Sequence, residues 1–186
     1  MENKFIFSDI EKLMKIITNL STRNMTKLRM EKIIYFIYAY YGAFVIERDD
    51  YPDDLIDIQF TIDKYGFHVD GIGELLDLNY SLIEDKEFKT ESELITYLEN
   101  SLSELELEVL PLIIDIVNQS DVMGDFTLVE LNHEDSIWFD CYNEKKEFSK
   151  QELYIEYSEK LKNSNWLALF LIYLSIDKNK YLCYYL

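Results

Sequence analysis

Apolar residues recur at three- and four-residue steps along most of this chain, and alternate in only one short stretch. Ile10, Leu13, Met14 and Ile17 form a helical stripe. Ser8, with Glu11 three residues on, reads as a capping box, so an amphipathic helix is expected over 9–20. After a turn at Ser21 to Asn24, a second helix is expected from about Thr26 to Gly42, with Gly42 as the residue that ends it. Its first half is mixed (Lys27, Arg29, Glu31, Lys32), whereas Ile33 to Tyr41 is apolar or aromatic on every side. That pattern belongs to a helix packed from several directions at the centre of a domain.

The alternating stretch is Ile56, Ile58, Phe60 and Ile62, a short strand following an acidic loop from Asp49 to Asp54. The segment from Gly66 to Gly73 turns the chain, Glu74 to Leu78 adds a helical turn, and 79–90 reads as loop. Thr90 with Glu93 and Ser103 with Glu106 are two further capping boxes, each opening a helix. Pro111 sits inside the second of these and is expected to kink or split it. A last amphipathic helix covers about Lys150 to Lys162. The expected fold class is α+β and predominantly helical, with helices packed around the 26–42 helix and a small antiparallel sheet. One domain is expected over 1–162, with the apolar tail 163–186 packed on it as an extension.

Charge changes this picture. Eighteen Lys and Arg against 36 Asp and Glu leave a net of −18. Residues 1–46 carry +3, residues 47–93 carry −11 and the remainder −10, so the acidity begins abruptly after the second helix. Such a surface repels phosphates and anionic lipid, which disfavours nucleic-acid and membrane binding, and it speeds capture of a basic partner. Asp49, Asp50, Asp53 and Asp54 are the densest part of it and are candidate partner contacts. Cys141 and Cys183 have no paired spacing, which suits a reducing compartment. With no signal-peptide pattern at the start and no apolar run long enough to span a bilayer, a cytoplasmic location is expected.

Catalytic motifs are missing: there is no Gly-rich phosphate loop, nucleophile elbow or zinc-binding helix. His68 and His133 have no metal-ligand spacing with Cys141, and no cofactor or metal is expected. A metal-dependent nuclease or nuclease activator remains a third reading, opposed by phosphate repulsion. Two segments stand out. In Asp63-Lys64-Tyr65-Gly66-Phe67-His68-Val69, Lys64, Tyr65 and His68 gather at a Gly-permitted turn, either as recognition groups or, for Tyr65, as core. In Leu128 to Trp138, a short helix ends near His133, and a polar turn leads to Trp138, read as core.

Taken in order, these segments resemble a known family. Met25-Thr26-Lys27-Leu28-Arg29-Met30-Glu31-Lys32-Ile33-Ile34-Tyr35-Phe36 resembles the Thr-x-Leu-x-Leu-x-Lys-Leu-Leu-Tyr-Phe helix of the Panacea domain family. That family follows it with a strand ending Trp-Lys-Tyr-Gly-Pro-Val, here Asp63 to Val69, and later with Leu-Ser-x-Leu-Thr-His-x-x-x-x-Trp, here Leu128 to Trp138. Asp63 replaces the Trp, Phe67-His68 replaces the Pro with one residue extra, and Asn132 replaces the Thr. The resemblance implies a helical domain with a small sheet, and a phage or mobile-element protein that neutralises a partner by direct contact. It implies that Lys64, Tyr65, His68, Asn132 and His133 belong to one functional surface. The partner expected is a basic protein, either a toxin (antitoxin role) or a Cas nuclease (anti-CRISPR role, the carboxylates imitating nucleic acid).

Overall fold

The structure is a computed structural model that describes residues 5–46, 54–78, 88 and 90–163. It opens with strand β1 (Phe5–Phe7) and helix α1 (Ile10–Leu20), capped by Asp9, whose carboxylate accepts from the Glu11 N–H at 2.8 Å. The cap is therefore Asp9 and not Ser8: its carboxylate reaches the first free N–H groups and adds negative charge at the positive helix end.

Helix α2 (Lys27–Val45) is capped by Thr26 and runs past Gly42 to a C-cap at Ile46. Gly42 does not end the helix. A Cβ there would lie 1.8 Å from the ring of Tyr154, so the glycine makes room for a crossing helix. The burial expected for Ile33 to Tyr41 is present, but it extends to Arg29, Glu31 and Lys32, which the sequence presents as ordinary solvent-facing charge.

The expected strand is two strands, β2 (Asp54–Ile56) and β3 (Phe60–Asp63), broken around Ile58. Strand β2 pairs in parallel with β1, Phe5 opposite Asp54 and Phe7 opposite Ile56. Strand β3 pairs antiparallel with β4 (Gly66–Val69), Ile62 facing Phe67 and Thr61 facing His68, so the first half of the segment read as a turn from Gly66 to Gly73 is a strand.

Helix α3 (Ile72–Leu78) follows, then α4 (Glu91–Ser101) and α5 (Glu104–Asp121), both opened by complete capping boxes. Pro111 does not split α5. Leu110, Leu112 and Ile113 are buried on its inner side while Pro111 itself is only half-buried, so packing carries the helix through the lost hydrogen bond. Helices α6 (Asp125–His133), α7 (Ser136–Asn143) and α8 (Lys150–Asn163) complete the described chain.

Helix α2 is the axis, packed by α8, α5, α6, α3 and strands β2 and β4, and α7 lies against β3 and α8. The fold is a predominantly helical α+β arrangement. The tail 164–186 and the acidic positions Asp49, Asp50 and Asp53 lie outside the described residues. Among the described residues, no helix is long and apolar enough to cross a membrane.

Candidate partner-binding surface

The mixed first half of α2 is where the motif segments meet. Arg29, only 1% exposed, donates to the carbonyls of Ser120 and Met123 at 2.7–3.1 Å, satisfying the open end of α5. Lys32 is fully buried and donates to the Phe67 carbonyl at 2.5 Å. The Phe67 N–H donates to Asn132 Oδ1 at 2.7 Å. Both backbone groups of Phe67 are therefore met by side chains from outside the hairpin, one from α2 and one from α6. Among the described residues this sheet has two strands, and such partners satisfy its backbone groups where it is buried.

The hairpin turn is built for this approach. Asp63 Oδ1 accepts from the Tyr65 N–H at 2.6 Å, and Gly66 follows at φ 97°, in the left-handed region. A Cβ on Gly66 would stand 2.0 Å from Asn132 Oδ1, so space and conformation both require glycine.

His68 bridges helix and hairpin. Its Nδ1 lies 2.7 Å from Glu31 Oε2 and its Nε2 lies 2.7 Å from Asp63 Oδ1. The Glu31 hydrogen bond, with that from Asp63, raises the His68 pKa above its ordinary value against the opposing effect of burial. For Asp63 burial acts upward, but the His68 bond and the Tyr65 N–H outweigh it and hold the carboxyl low. Burial lowers Lys32 to about 8, against the raising influence of Glu31 and Asp63. With both ring nitrogens on carboxylates, the charged form of His68 is favoured, and both nitrogens are engaged in holding helix to hairpin.

A second buried carboxylate anchors the other side of α2. Asp135 Oδ2 accepts from Tyr35 at 2.5 Å and Tyr157 at 2.9 Å, while Oδ1 receives Lys160. Burial pushes the Asp135 pKa up, and Lys160 and the two phenols pull it back. Beside it, Phe36, Tyr40, Leu128, Leu131 and Lys160 are among the residues lining a cleft of about 380 Å³.

Of the expected site residues, Lys64, Tyr65, His68, Asn132 and His133 lie on or against the hairpin. Lys64 and Tyr65 form the exposed hairpin tip, Lys64 Nζ standing 4.9 Å from the Tyr65 ring. Asn132 touches the same hairpin from beneath. His133 stacks on Trp138 at 3.9 Å, Trp138 on Tyr142 at 5.1 Å, and the Trp138 indole N–H donates to the Asp63 carbonyl at 3.3 Å. Trp138 is half-buried, part of this ring stack and not a fully enclosed core residue. Asn132 Nδ2 and His133 Nε2 are buried without a hydrogen-bond partner among the described residues.

Asp54 differs from the expectation of a free acidic contact. Its carboxylate accepts from Lys150 at 2.8 Å, Tyr38 at 3.0 Å and Tyr154 at 3.2 Å, so it ties β2 to α2 and α8. Cys141 and His133 stand on different helices, and among the described residues no cluster of His, Cys, Asp and Glu is arranged to hold a metal ion.

Glu31, Lys32 and Asp135 were missed as members of the site's support, since charge on a helix reads as solvated surface until the packing is known. For Lys32 the signal was its spacing with Arg29 and Tyr35, which puts three polar heads on one face of a helix whose second half is apolar all round. No protein-family model, curated protein or solved structure matches the chain.

Proposed function

We propose that this chain is a non-enzymatic binding protein that neutralises a basic protein partner by direct contact, in the manner of an antitoxin. The observation that carries the reading is how the reactive side chains are used. His68 is held between Glu31 and Asp63, Lys32 is spent on a carbonyl, and Asp135 is spent on two phenols and Lys160. The groups suited to acid–base chemistry thus hold the fold, and they position an exposed hairpin tip and an aromatic stack on a chain of net charge −18. Aromatic anchors with charge complementarity are the features of a protein interface.

A second reading, inhibition of a Cas nuclease by imitation of nucleic acid, is favoured by the charge map, with −11 over residues 47–93 and −10 beyond them. Both readings require a basic partner; they differ in its identity.

The test is affinity purification of the full chain from cells that encode it, with protein and nucleic acid in the eluate both quantified. A basic protein in near-stoichiometric amount, released at about 1 M salt where screening acts within roughly 3 Å, is the expected result. Nucleic acid as the main co-purifying species, or magnesium-dependent cleavage of RNA by the purified chain, would overturn it.

A further inference from the structure

Tyr157 and Lys160 on α8 form one side of the cleft of about 380 Å³, and the last described residue of that helix, Asn163, stands one turn beyond Lys160. Phe36 from α2, Ile116 from α5 and Leu128 from α6 line the cleft and are buried, while Leu131 and Tyr40 stand half-buried in its walls. Domain interiors keep few voids larger than a water molecule, and apolar walls hold water poorly. A cleft of this size and lining calls for a group that covers it.

The charges in the cleft say what kind of group. Asp135 is matched by Lys160 and by the phenols of Tyr35 and Tyr157, and Lys160 also pairs with Glu156 at 3.2 Å. Glu134, the remaining charged residue of the lining, is exposed to solvent. A charged occupant would lose its water inside the cleft and meet a pair that is already complete. An uncharged, apolar occupant covers the walls and leaves that pair intact.

The chain carries such a segment next to the cleft. No charged residue occurs over 163–176, and every position over 166–176 except Ser175 is apolar or aromatic. Left in water, that run would form an apolar patch of the kind that folded proteins cover. Trp166 follows Lys160 by six residues, which even fully extended chain spans over no more than about 20 Å. The uncovered cleft and the uncharged run therefore lie within reach of each other.

We propose that the run 166–176 docks in the cleft between α2, α5, α6 and α8, so that the chain is its own occupant. This does not depend on the identity of the partner. It makes the cleft part of the chain's own core and leaves partner contact to other surfaces.

The experiment uses the full chain carrying Trp138→Phe, in which Trp166 is the one remaining indole. Acrylamide is expected to quench Trp166 weakly in buffer and strongly in concentrated urea. Adding Leu131→Glu places a carboxylate in the half-buried wall of the cleft, and should raise quenching in buffer about threefold or more with the far-ultraviolet circular dichroism unchanged. Phe126→Glu, on the same helix but outside the cleft and 69% exposed, should leave quenching as it was. Should Leu131→Glu unfold the chain, benzoylphenylalanine in place of Gln119, a half-buried cleft residue, carries the test. Its photo-crosslinks are expected on residues 166–176 of the same chain. Quenching of Trp166 in buffer as strong as in urea would overturn the proposal. So would shielding that survives Leu131→Glu in a folded chain or is lost in Phe126→Glu. Crosslinks that fall only elsewhere, or only between two copies of the chain, would overturn it as well.

Discussion

Glu31 on α2 and His68 on β4 share a hydrogen bond of 2.7 Å, and the His68 ring reaches Asp63 at the same distance on its other side. The helix and the exposed hairpin tip are thereby joined through one imidazole. Lys32 is the neighbouring cation, and Glu31 and Asp63 are the carboxylates facing the ring. Because the folded-state pKa of His68 is raised above 6.5, its contribution is fully present below about 6.5 and is lost as pH rises through the folded value. His68→Gln should therefore cost about 1–2 kcal/mol near pH 5.5 and much less near pH 9. Urea midpoints of both proteins at the two pH values check this; a deficit that is constant or grows with pH contradicts it.

Lys32 donates the hydrogen bond that the buried Phe67 carbonyl receives from α2. Burial disfavours its charge, lowering the pKa to about 8, so the pair is less stabilising than a solvated one. Lys32→Met nevertheless leaves the carbonyl without that donor and Glu31 with one less cation nearby. A loss of about 2–3 kcal/mol in unfolding free energy is expected, and an unchanged denaturation midpoint would refute it.

Gly42 separates local preference from packing. In an isolated helix Gly to Ala stabilises by about 1 kcal/mol. Here the added Cβ meets three ring atoms of Tyr154 at 1.8 to 2.3 Å, and the α2–α8 crossing must open. Gly42→Ala should destabilise by about 1–3 kcal/mol, in the direction opposite to propensity. Thermal melting of the variant decides the sign.

The centre of the fold was legible because burial on all sides leaves an unmistakable run. Ile34 is fully buried and Phe36 is 9% exposed, and replacing either by Ala should cost about 2–5 kcal/mol. Wild-type-like melting of both variants would show that α2 is not the core. The capping boxes at Thr90 and Ser103 were legible for a similar reason, since both partners of each lie within one turn. The β1–β2 pairing was not, because three-residue strands carry no periodicity and their pairing depends on distant packing. Gly42 was misread because a glycine that admits a neighbouring ring and one that ends a helix look the same in a sequence. The turn from Asp63 to Gly66 was recognised from its glycine. What that turn meets could not be seen, since Asn132 lies in another segment and Lys32 looks like surface charge.

Asp54 holds β2 to Lys150, Tyr38 and Tyr154, so Asp54→Asn should lower stability by about 1–2 kcal/mol by weakening those bonds. It is unsuited to a test of capture, and an unchanged melt for Asp54→Asn would show that these bonds contribute nothing.

Asp49, Asp50 and Asp53 are the positions with which to test capture itself. The direct measurement is the association rate of the purified chain with its basic partner at low and high ionic strength, for wild type and Asp49→Asn/Asp50→Asn/Asp53→Asn. Charges screened over about 10 Å at 0.1 M salt should give a wild-type rate that falls steeply with salt. The variant is expected to associate more slowly at low salt and to converge on the wild type at high salt. Equal rates and equal salt dependence for the two proteins would contradict capture by this acidic surface.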